Sequence, residues 1–88
     1  MKLIELIVKR IFTDFVKSAE KLRNEANLYT DLNLSTDNVK NIRNRIEQIF
    51  SVSIPEDSFM KKSTYGGIVD FVQMLYIQAT KLTEARLN

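Results

Sequence analysis

The sequence predicts an all-α fold, a small helical bundle of three longer helices plus one short helix, with a long loop after the first. Three observations carry that expectation. Apolar residues recur at steps of three and four in three separate stretches, the mark of one helix face. No stretch alternates with the two-residue period of a strand. The only proline, Pro55, stands directly ahead of acidic residues, a pattern that opens a short helix.

The first helix is expected over residues 2 to about 23. Ile4, Ile7, Val8, Ile11, Phe15, Ala19 and Leu22 share its apolar stripe, while Lys9, Lys17, Glu20 and Lys21 fall largely between them. Leu3, Phe12 and Val16 widen the stripe, which suggests burial against two neighbours and favours core packing over a membrane-surface helix. From Asn24 to Leu34 the period is lost, and Leu28, Tyr29, Leu32 and Leu34 lie among Asn, Thr and Asp. A loop with such apolar anchors packs down over a core and has room for a short helical turn.

The second helix is expected from about Thr36 to Phe50. Ser35, Thr36 and Asp37 are all good N-cap types, because their side-chain oxygens accept from unpaired amides of a first turn. Val39, Ile42, Ile46, Ile49 and Phe50 then form one stripe. The opposite face carries Asp37, Lys40, Asn41, Asn44, Glu47 and Gln48, with Arg43 and Arg45 on its flanks. Mixed charge of this kind reads as a solvated face or as a docking surface. A break follows over Val52 to Pro55, where Pro55 disfavours helical geometry at Ile54. Glu56, Asp57 and Ser58 suit the start of a short helix, Phe59 and Met60 its apolar contact, and Lys61 to Ser63 its end.

The last helix is expected to start near Thr64, with Ile68, Phe71, Val72, Leu75, Tyr76, Ala79 and Leu82 on one face. Gly66 and Gly67 fall in its first turn. Close packing of the helix start explains them better than a phosphate cradle, since neither a lysine nor a preceding strand accompanies them. Arg86 to Asn88 read as a frayed end.

Composition narrows the function. Eighty-eight residues make a single domain, 1–88, able to bury one core without metal or disulfide. There is no cysteine and no histidine, which removes thiolate chemistry, the commonest metal ligand and the commonest general base. An enzyme is therefore not expected. A net charge of +2 falls short of a nucleic-acid footprint, and no apolar run is long enough to span a bilayer. The start Met1-Lys2-Leu3-Ile4 hints at a signal peptide, but Glu5, Lys9 and Arg10 interrupt it and no small-residue cleavage site follows. A cytoplasmic protein without nucleic-acid or membrane partners is expected.

The central stretch resembles the acyl and peptidyl carrier proteins. That family has an apolar-x-x-Asp-Leu-Gly-x-Asp-Ser-Leu loop leading into its second helix, and Leu28 to Asp37 follow this layout, with Leu28, Asp31 and Leu32 in place. Ile42, Ile46 and Phe50 match its core positions. Ile54-Pro55-Glu56-Asp57, Phe59, Ser63-Thr64-Tyr65 and Asp70-Phe71-Val72 are similar to its second signature, and the likeness covers roughly residues 4 to 76. The resemblance implies a specialised acyl or aminoacyl carrier that holds cargo as a thioester on a 4′-phosphopantetheine arm, as in fatty acid or polyketide biosynthesis.

In register, the family's modified serine falls on Thr36, its preceding Asp on Ser35 and its following Leu on Asp37. Ser35, a primary hydroxyl one residue early, is the preferred anchor, and Thr36 the other. The partners implied are a phosphopantetheinyl transferase and acyl-processing enzymes, docking on Asp37, Lys40, Arg43, Asn44 and Glu47. Carriers usually have an acidic second helix, whereas here Lys40, Arg43 and Arg45 outnumber Asp37 and Glu47, so a neutral or acidic partner is expected. The alternative is a carrier-like fold without the arm, acting as a protein-binding or regulatory module toward an unidentified partner.

Overall fold

A computed structural model describes the backbone of residues 2–87 and the side chains of 3–80. The chain forms α1 (Lys2–Thr13), α2 (Thr36–Phe50), α3 (Glu56–Met60) and α4 (Tyr65–Leu87), with one 3₁₀ turn at Ala19–Lys21. This is the small all-α bundle that the periodicity predicts. α1 packs against α2 and α4, and α2 against α3. Phe12 meets Tyr65 edge-on at 5.0 Å while Gln73 donates to Glu5, so α1 and α4 run antiparallel.

α1 is shorter than the expected helix over residues 2 to 23. Asp14 and Phe15 donate to the carbonyls of Ile11 and Phe12, three-residue bonds that tighten and close the last turn. The Thr13 hydroxyl donates to the Arg10 carbonyl, taking another terminal acceptor. The apolar spacing persists beyond Thr13 because Phe15, Val16 and Leu22 still pack on the core, from an irregular segment rather than a helix. Nor does Leu3 widen the buried stripe, since it is 69% exposed.

The core is built from Val8, Phe12, Leu28, Val39, Ile42, Ile46, Ile54, Phe59, Ile68 and Val72, all fully buried. Each large side chain contributes about 1.5–3 kcal/mol by leaving water. Leu28, Leu32 and Leu34 are buried as well, so the long loop is anchored at three points. It contains turns and no helix among its described residues. Ile49, by contrast, leaves the apolar stripe of α2 and is 55% exposed at its last turn. α2 ends where Ser51 adopts a left-handed conformation, φ 53°.

Gly66 shows why the start of α4 carries glycine. A Cβ there would lie 2.7 Å from the carbonyl oxygen of Asn24, whose own role is to accept from the Gly66 amide at 2.9 Å. The Thr64 hydroxyl accepts from the Gly67 amide at 3.1 Å, in the manner of an N-cap. The helix continues to Leu87, which includes Arg86 and Leu87 of the expected frayed end; Asn88 and the side chain of Leu82 lie outside the described residues.

Candidate functional site

The site begins with the loop that delivers Ser35. Asn27 organises it: its side-chain oxygen accepts from the amides of Tyr29 and Thr30, and its own amide donates to the Asp31 carboxylate at 2.8 Å. An asparagine closing a turn on its own backbone is a local alternative to regular structure. The amides of Leu28, Tyr65 and Gly66 donate to the carbonyls of Ser63, Ala26 and Asn24, stitching the loop to the entrance of α4. Leu34 closes back with its amide on the Leu28 carbonyl. Between the two buried leucines, Asn33 takes φ 56°, a left-handed position that asparagine tolerates better than most residues.

Ser35 is the N-cap of α2, exposed and extended in backbone. Its hydroxyl accepts from the Asn38 amide at 3.1 Å, and the Asn38 side-chain oxygen accepts from the Ser35 amide at 3.1 Å. The two form a reciprocal capping box, with asparagine in the place more often taken by Glu or Gln. Thr36 is the first helical residue, and its side chain is exposed with no hydrogen bond among the described residues. The amides of Thr36 and Asp37 belong to the first helical turn and have no intrahelical partner, so they face solvent or an anion. Both candidate hydroxyls thus reach solvent at the positive end of a four-turn helix, with the Asp37 carboxylate beside them.

Of the expected docking residues, Asp37, Lys40 and Asn44 are exposed. Arg43 and Glu47 are half-buried and already engaged. Glu47 accepts the Ile54 amide at 2.7 Å, Arg43 donates through Nε to the Ile54 carbonyl at 3.0 Å, and the two side chains pair at 3.6 Å. Together they clamp both backbone groups of the buried Ile54, fixing the approach to Pro55. What remains exposed on the outer face of α2 is Asp37, Lys40, Asn41, Asn44 and Gln48, with the Asn44 side-chain oxygen accepting from Arg43 at 2.9 Å.

The cations of α2 also have partners from other elements. Lys40 pairs with Glu56 at 3.7 Å, and Arg45 pairs with Asp14 while its guanidinium lies 5.2 Å from the centre of the Phe15 ring. The basic excess of the helix read alone is therefore offset by Asp14 and Glu56, which the fold brings alongside. The sequence pattern did not reveal this, because those carboxylates lie outside the helix.

No family model matches the chain, and no curated protein is similar to it. No helix among the described residues is long and apolar enough to cross a membrane.

Proposed function

We propose that this protein is a specialised carrier in which Ser35 anchors a 4′-phosphopantetheine arm. The observation that carries the reading is the exposed hydroxyl pair at the N-terminus of α2, held on a loop whose three leucines are buried. The residues suit the group chemically. A phosphodiester on Ser35 would sit near the free amides of the first turn, where a helix favours negative charge. Ser35 offers a primary hydroxyl, and the methyl of Thr36 crowds its own oxygen. When bound, the arm would supply a thiol for carrying an acyl or aminoacyl group. The protein's residues then do the rest: Leu28, Leu32 and Leu34 fix the anchor, and the stripe Asp37–Gln48 meets transferase and acyl-processing partners.

A second reading rests on the capping box. The Ser35 oxygen already serves the Asn38 amide, and a cap is a sufficient reason for serine there. On that reading the protein is an arm-less binding module that docks through the same face of α2.

Incubation with coenzyme A and a broad-specificity phosphopantetheinyl transferase, followed by intact-mass measurement and peptide mapping, separates the two. A mass gain of one phosphopantetheine on Ser35, lost in Ser35→Ala, is the expected result. An unmodified protein beside a modified control carrier would eliminate the arm and leave the binding module. Modification retained in Ser35→Ala and lost in Thr36→Ala would move the anchor.

A further inference from the structure

A cleft of about 390 Å³ lies between α1, the segment around Leu22 and the entrance of α4. Its volume falls in the lower part of the range of about 300–1,000 Å³ usual for small-molecule sites. Leu6, Leu22 and Val69 supply its apolar walls, while Glu5, Lys9 and Tyr65 bring polar groups to it.

Tyr65 is the residue that marks the cleft. It is only 6% exposed and its ring sits edge-on to Phe12 at 5.0 Å, yet its hydroxyl has no hydrogen-bond partner among the described residues. A tyrosine so deeply buried ordinarily pairs its hydroxyl. No side-chain oxygen among the described residues is sealed from solvent without a partner, so this hydroxyl opens on the cleft that Tyr65 lines. Burial, and second the Glu5 carboxylate, keep the phenol protonated and therefore a donor.

Two opposite charges stand beside it. Glu5 and Lys9 are four residues apart on α1, in the order that best suits an ion pair along a helix. They do not pair with each other. One Glu5 oxygen accepts from Gln73 at 3.3 Å, and the other oxygen and the Lys9 ammonium have no partner among the described residues. An open carboxylate, an open ammonium and an unused hydroxyl thus converge above an apolar wall.

We propose that this cleft binds a free amino acid with an aliphatic side chain. The ligand's ammonium meets Glu5, its carboxylate meets the Lys9 ammonium and the Tyr65 hydroxyl, and its side chain lies on Leu6, Leu22 and Val69. Leu6, 62% exposed without a ligand, is covered on binding. The site is independent of any arm on Ser35. With an open mouth and a ligand of few atoms, the dissociation constant is on the order of 1 mM.

Titration of isotope-labelled protein with L-leucine to about 20 mM, read as amide shifts by NMR, tests this. Saturable shifts centred on Leu6, Leu22, Tyr65 and Val69 are expected. Isoamylamine, isocaproate and glycine lack in turn the carboxylate, the ammonium and the apolar side chain, and each should bind at least about fivefold more weakly. Tyr65→Phe removes a hydroxyl that nothing in the fold uses, so at neutral pH it should melt like the wild type. It should nevertheless weaken leucine binding about three- to tenfold, as should Glu5→Gln. Absence of saturable shifts at about 20 mM overturns the proposal. Equal binding of leucine and isocaproate also overturns it, by making the cleft a general apolar surface. Full leucine affinity in either variant overturns the contacts assigned.

Discussion

Substituting Ser35 by alanine isolates what this residue does for the fold. Two bonds of 3.1 Å close the capping box, and Ser35→Ala removes only the one from the Asn38 amide to its hydroxyl. The site is exposed, so the released amide can turn to water. The penalty of a buried unpaired donor therefore does not apply, and the loss should be that of an N-cap, about 1 kcal/mol. For a domain of this size that corresponds to about 4–8 °C in melting temperature. Asn38→Ala removes the reciprocal bond, and because both bonds close one ring, the double variant should lose less than the sum of the singles. Ser35→Asp keeps an acceptor and should melt close to the wild type. Thermal and urea melts of the four variants, at constant m-value, measure this. A Ser35→Ala loss below about 0.3 kcal/mol, or strict additivity with Asn38→Ala, would refute the cap assignment.

Three further outcomes follow from the packing. Glu47→Ala leaves the Ile54 amide buried without its acceptor and should cost about 1–3 kcal/mol in a urea melt, whereas Glu47→Gln, which keeps an oxygen there, should cost less. Gly66→Ala forces a methyl against the Asn24 carbonyl and should destabilise by about 1–3 kcal/mol; a neutral result would mean that the loop yields freely. Burial of Tyr65, with the nearby Glu5 carboxylate second, holds its phenol above the ordinary 10.0. The folded state then keeps a proton that the unfolded chain loses, so stability is intact below pH 10.0 and declines as pH rises from there through the folded value. Tyr65→Phe should flatten that decline in alkaline melts, and an unchanged slope would contradict the assignment.

The helices were legible because their apolar steps coincide with what is buried: Val39, Ile42 and Ile46 in α2, Ile68 and Val72 in α4. The end of α1 was not, since Phe15, Val16 and Leu22 keep helical spacing while packing from a segment that is not helical. Periodicity reports which side chains face the core and is blind to the backbone that delivers them. At the site, Ser35 as a cap was readable from residue type, but the choice of Ser35 over Thr36 or Asp37 depends on Asn38 answering it. One departure from the carrier-like pattern did hold a clue. Asn33 stands where that pattern has glycine, and it adopts the left-handed conformation that glycine would supply. The engagement of Arg43 and Glu47 with Ile54 was invisible, because it depends on the chain returning past α2 after Ser51.

The bridge between the loop and the entrance of α4 has a consequence for when the loop around Ser35 takes its shape. The backbone bonds from Leu28 to Ser63, Tyr65 to Ala26 and Gly66 to Asn24 join residues 35 to 42 positions apart. During synthesis the hydroxyls of Ser35 and Thr36 leave the ribosome long before the residues that shape their loop. A nascent chain truncated ahead of Ser63 would expose the same atoms on an unformed platform. The loop takes its final shape only once the entrance of α4 is in place, so on the carrier reading proposed above, modification would follow emergence of Ser63 to Gly66.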